Sequence, residues 1–212
     1  MSSHAREQQQ EPIGELDEPT EVAPEPDEQH PVELDPEVRE RRDEALRHVR
    51  KLGDPVLRSR ALPVERFDSE LGEEIERMGA LMADATGIGL AATQLGVLHR
   101  VLVYRVQHES PIVALVNPTL EWAGHELEIL EEGCLSLPAV HVDVERPIHV
   151  RVTARDARGE PLTVEASGLE ARVIQHEMDH LDGVLILDRT TREQRKEAMR
   201  LLREAGREVA AG

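Results

Sequence analysis

The stretch Ser167-Gly168-Leu169-Glu170-Ala171-Arg172-Val173-Ile174-Gln175-His176-Glu177-Met178-Asp179-His180-Leu181-Asp182-Gly183 carries its own helix boundaries. Ser167 and Glu170 have the spacing of a capping box, which predicts a helix start, and Asp182-Gly183 predicts its end. With helical periodicity, Leu169, Val173, His176 and His180 form one stripe and Ile174, Met178 and Leu181 the next, so both histidines point toward a core. Two imidazoles one turn apart can grip a single ion. Glu177 lies between the stripes, where a carboxylate is costly unless it is paired or at work. Beside a metal-activated water it would take the water proton and pass it to a leaving amine. Two core histidines on an ordinary amphipathic helix are the plain alternative. His-Glu-x-x-His on a capped, core-facing helix favours a hydrolytic metal centre.

A catalytic metal usually has three protein ligands and one open position. No histidine follows His180, and Asp182, Asp188 and Glu193 stand in no recognisable ligand pattern. Upstream, Glu132-Gly133-Cys134-Leu135-Ser136 holds the chain's single cysteine. A thiolate suits Zn or Fe(II), and an adjacent glycine lets backbone approach an ion. A lone thiol is more often an inert core residue, but beside this helix Cys134 is the favoured third ligand.

Farther out, helical periodicity predicts a helix from Glu37 to about Leu52, ended by Gly53-Asp54-Pro55, and another from Asp68 to about Thr86 with Asp68 or Ser69 as cap. Strands are expected over 101–106 and 112–116, the second closed by Asn117-Pro118, and around 127–130, 140–144, 148–154 and 162–166. Thr191 to Gln194 forms a second capping box, opening a C-terminal helix to about Arg207. This order predicts an α+β fold, with largely antiparallel sheets packed around the central metal-binding helix plus a C-terminal helix.

Gly87-Ile88-Gly89-Leu90-Ala91-Ala92 formally matches a dinucleotide fingerprint, but it follows a helix and leaves no room for a crossover helix. Adjacent glycines also let a substrate backbone pair edge-on with the chain, and the amide of Gln94 close by could donate to an oxyanion. The formal charge of −18 is concentrated in residues 1–45, which hold 15 Asp/Glu against 4 Lys/Arg. Residues 1–36, with six prolines, read as a disordered acidic extension. The acidic body argues against DNA, and the short apolar runs and absent signal against membrane or export, leaving a bacterial cytoplasm as the expected location.

Together, Gly87–Gln94, Glu132–Ser136 and Gln175–Leu181 resemble, in order, the three motifs of the bacterial peptide deformylase family. The resemblance implies a catalytic domain over 37–190, followed by a C-terminal helix and tail over 191–212. It implies a hydrolase that removes the N-formyl group from the formyl-methionine of nascent polypeptides and releases formate. Cys134, His176 and His180 would bind one divalent metal, Fe(II) in preference to Zn or Ni, with Glu177 as proton carrier and Gln94 and the Leu135 N–H at the oxyanion. Ile88, Gly89 and Gly133 would offer backbone to the substrate peptide, beside an apolar methionine pocket. An ordinary His-Glu-x-x-His endopeptidase is the competing enzyme reading.

Two features depart from the family pattern: Pro138-Ala139 stands where many relatives have Pro-Gly, and the acidic extension is additional. In some bacterial members the C-terminal helix docks on the ribosome. Here Lys196, Arg200, Arg203 and Arg207 share a face suited to that contact, but the interspersed Glu193, Glu197, Glu204 and Glu208 favour a solvated one.

Overall fold

A computed structural model describes residues 35–107 and 109–211, with side chains described as far as Glu204. The expected acidic extension lies outside these residues, apart from Asp35 and Pro36. Helix α1 (Pro36–His48) has Pro36 in its first turn and the Asp35 carboxylate accepting from the Glu37 N–H. It ends earlier than expected. Residues 50–52 leave the helix because their polar groups bond elsewhere: the Arg50 N–H donates to the Gln94 carbonyl and the Leu52 N–H to that of Ser136. Helix α2 (Ser69–Asp84) begins as anticipated, with Asp68 capping the Leu71 N–H.

A five-stranded antiparallel sheet has the order β1-β2-β3-β6-β7, comprising β1 (Gly89–Ala91), β2 (Val101–Tyr104), β3 (Val113–Ala123), β6 (His149–Arg155) and β7 (Pro161–Ser167). A separate antiparallel ribbon pairs β4 (Leu127–Cys134) with β5 (Leu137–Pro147). The α+β expectation therefore holds. Asn117-Pro118 does not close β3 as expected. The strand runs through it with a register shift, Asn117 at φ 54, while the Asn117 amide both accepts from and donates to the backbone of Val64. The bulge absorbs the proline.

Helix α3 (Leu169–Leu181) packs against β1, β2 and β7 on one side and β5 on the other. Ala171, Ile174 and Leu181 are buried in an apolar cluster with Leu102, Leu115 and Val152. The expected capping box does not form. Ser167 is the last residue of β7 and its hydroxyl bonds His149 across the ladder, while Glu170 accepts from the Tyr104 hydroxyl. Gly168 is the cap instead, at φ 58 and ψ −125, a conformation open essentially to glycine.

Helix α4 (Ile186–Arg189) follows, and then α5 (Arg192–Ala211), which buries Ala198 against the ribbon side of the molecule. Thr191 caps α5 by accepting from the Gln194 N–H, as the second box predicts, but the Gln194 side chain reaches Asp143 and Thr190 rather than back to the cap. No helix among the described residues is long and apolar enough to cross a membrane.

Candidate metal centre

Three chain segments converge on α3. The ligand atoms of Cys134, His176 and His180 all lie within 4.8 Å of one another, with the Cys134 sulfur 3.2 Å from His180 Nε2. His176 turns its Nδ1 to Glu132 at 2.9 Å, which leaves its other ring nitrogen for the cysteine side. A histidine held this way by a carboxylate is fixed in orientation and made a better donor. Burial alone would raise the Cys134 thiol, but the imidazoles of His180 and His176 hold it well below the usual thiol range. A thiolate and two oriented imidazoles within one ion's reach fit a divalent metal.

Glu132 was not singled out in the sequence, yet it anchors the site. Its carboxylate accepts from Arg146 Nε at 2.6 Å and Nη2 at 2.9 Å, and from Arg172 Nη1 at 2.9 Å. Arg146 also reaches Asp179 at 2.9 Å, and all four residues are buried. A signal was available: Arg172 and Asp179 occupy inward positions of α3, where unpaired charges are costly. Which carboxylate Arg172 meets depends on the path of β4.

Glu177 is 4% exposed, and its Oε2 is buried with no partner among the described residues. Burial pushes its carboxyl up, partly offset by His176 and His180. The carboxylate sits against the backbone of β1. A Cβ placed on Gly89 would come within 2.9 Å of Val173 Cγ1 and closer still to Glu177. Gly89→Ala is therefore expected to displace Glu177 and lower kcat about 100-fold, the effect of misplacing a reacting group by about 1 Å, with little loss of fold stability. Steady-state kinetics beside thermal unfolding would check this.

Gln94 is 1% exposed, in the single helical turn after β1. Its Oε1 accepts from the Ala91 N–H at 2.9 Å, which turns the amide nitrogen toward Ser136 Oγ at 3.3 Å and the Cys134 sulfur at 3.8 Å. Leu135 lies in the turn between β4 and β5, and Lys51 Nζ holds its carbonyl at 2.9 Å. Ile88, Gly89, Gly133 and Leu135 line one cleft of about 370 Å³ with Gln94, Cys134, His176 and Glu177. Of the site residues expected from the sequence, all but His180 line this space; His180 is buried and reaches it through the Cys134 sulfur. β1 is the end strand of its sheet, so its other edge is unpaired within the sheet. Leu169, expected inward with the histidines, is instead 52% exposed at the cleft, because the stripe runs past the end of the core. Ala139 holds φ 61, the left-handed conformation in which a glycine would be unstrained.

Three converging donors beside a buried carboxylate, two of them lining an open cleft, have the arrangement of a metal-dependent hydrolase. A family model described as polypeptide deformylase matches residues 46–196. The peptide deformylase of Thermotoga neapolitana is 49% identical over 154 residues, covering 73% of this chain and 90% of that protein. That of Parafrankia sp. (strain EAN1pec) is 45% identical over 161 residues, covering 76% and 87%. Among solved structures, the Legionella pneumophila peptide deformylase superposes with a TM-score of 0.73 at 38% identity, covering 77% of this chain and 97% of that one. A Synechococcus elongatus peptide deformylase in complex with actinonin gives 0.69 at 45% identity, covering 71% and 84%. The chain belongs to the polypeptide deformylase family.

Proposed function

We propose that this chain hydrolyses the formyl amide of formyl-methionyl nascent polypeptides at this cleft, releasing formate, with each site residue in the role its geometry supports. Cys134, His176 and His180 would hold one divalent metal, which would supply Lewis acidity at the reacting carbonyl. Glu177 takes the proton from the attacking water and delivers it to the departing amine nitrogen. Its raised carboxyl pKa brings the acid and base forms closer to neutral pH. The Gln94 amide and the Leu135 N–H donate to the oxyanion, in positions prepared by Ala91 and by Lys51. Ile88, Gly89 and Gly133 present backbone to the extended peptide, and the methionine side chain lies beside α3.

The observation that carries this reading is the unpartnered Glu177 Oε2, buried next to the three donors. Metal storage alone would not need it. Formate release from formyl-Met-Ala by anaerobically purified protein tests the reading. Cleavage of internal peptide bonds instead would favour the endopeptidase. Lys51→Met is expected to lower kcat about tenfold, the equivalent of one charge-assisted hydrogen bond, with KM little changed.

Fe(II) is the resident metal in this reading, although the same ligands also accept Zn and Ni. Metal analysis of the anaerobic protein decides it. The catalytic unit spans 37–190, with α5 and the tail over 191–212 as an appendage, in a bacterial cytoplasm. Arg200 is tied to Glu197 and Glu204, which supports a solvated outer face for α5 over a ribosome contact. Arg207 lies beyond the described side chains.

A further inference from the structure

One residue lining the cleft, Arg42, lies outside the family match. The matched segment starts at residue 46, while α1 starts at Pro36. On α1, positions 42, 45 and 46 share the inward face that continues to Val49. Ala45 and Val49 are buried, while Arg42 and Leu46 line the catalytic cleft. With Val38 one turn earlier, an arginine therefore interrupts a stripe whose other positions are apolar.

The other cations on or beside this cleft are engaged. Arg172 is bonded to Glu132, and Lys51 to the Leu135 carbonyl. Arg42 has only the carboxylate of Asp43, its chain neighbour, at 4.0 Å, the limit of an ion pair, and its side chain is 37% exposed. Among the described residues it is the cleft-lining cation without a close carboxylate. It lines the same cleft as Leu135. Glu131 of β4 also lines the cleft.

The formyl end of a substrate is committed to Glu177 and the metal donors, and its methionine to the side of α3. Only residues farther along the peptide, each adding about 3.3 Å of reach, can meet the α1 wall. We propose that Arg42 gives the cleft a preference for nascent chains with an Asp or Glu side chain within the first few positions after the formyl-methionine. This inference rests on the deformylase reading of the same cleft.

The test compares kcat/KM for C-terminally amidated formyl-Met-Ala-Glu-Ser and formyl-Met-Ala-Lys-Ser, with the charged residue also moved one position either way. The wild type is expected to favour Glu by about threefold at its best position, the size of one partly exposed ion pair. The ratio should fall toward one near 0.5 M salt, where the Debye length is only about 4 Å. Arg42→Ala should abolish the preference and Arg42→Glu should reverse it, while all three proteins turn over formyl-Met-Ala amide equally. The same Glu/Lys ratio in wild type and Arg42→Ala, or a ratio indifferent to salt, overturns the proposal. Failure to turn over any of these formyl peptides would overturn the deformylase reading itself, and the preference with it.

Discussion

Glu177→Ala is expected to retain its metal and lose catalysis. The three donors come from Cys134, His176 and His180, and the Glu177 carboxylate makes no hydrogen bond that holds them, since its Oε2 has no partner. Truncation should therefore leave bound metal near one per chain while kcat falls by about 10³-fold, the range for loss of a positioned general acid–base. Removing a buried carboxylate without a hydrogen-bond partner should also leave the fold at least as stable, because its desolvation is only partly offset by His176 and His180. Metal analysis, single-turnover formate release and thermal unfolding on one preparation would check all three. Wild-type turnover would remove Glu177 from the mechanism.

Glu132→Gln is expected to damage both the fold and the metal. Two buried guanidiniums share this carboxylate, and replacing it with a neutral amide leaves Arg172 with only the half-exposed Glu128 carboxylate at 3.9 Å and Arg146 with Asp179 alone. Breaking a buried pair from one side costs about 3–5 kcal/mol. His176 loses the charged partner that orients it, so metal affinity should fall about 10- to 100-fold. Denaturant unfolding of metal-free protein and competition with a chelator read the two effects separately.

The pH dependence follows from the same carboxylate. Burial would raise its pKa, but His176 and Arg146 bring it down to about 2, from an ordinary value of 4.5. Because the folded value is the lower one, its contribution to stability is whole above pH 4.5 and is lost as pH falls toward 2. In metal-free wild type this acid-sensitive component should be present, and in Glu132→Gln it should be missing. Identical acid unfolding curves would show that the network does not carry that stability.

Much of the site was legible in the sequence. His176, Glu177 and His180 declare themselves because helical phase is local: once α3 forms, their shared face follows from spacing. Asp68 and Thr191 were readable as caps for the same reason. The failures have identifiable causes. Ser167 looked like a cap, but its hydroxyl was claimed by His149 across a strand pair, a partner that local spacing does not reveal. Pro118 looked like a strand end, but a register shift beside Asn117 let β3 continue. The first helix lost its last turn because residues 50–52 bond Gln94, Leu135 and Ser136.

The sequence by itself determined the kinds of atom at the centre, one thiol, two imidazoles and a carboxylate, and the helix that presents three of them. Periodicity and side-chain chemistry are properties of short segments, so they survive without knowledge of the fold. Only the tertiary structure decided that the Cys134 sulfur stands 3.2 Å from His180, that Glu132 rather than another acid holds His176, and that α1 brings Arg42 to the cleft. Each of these joins segments separated by dozens of residues. Such contacts are selected by how two sheets and α3 pack together, and that choice is collective rather than written in any one stretch of chain.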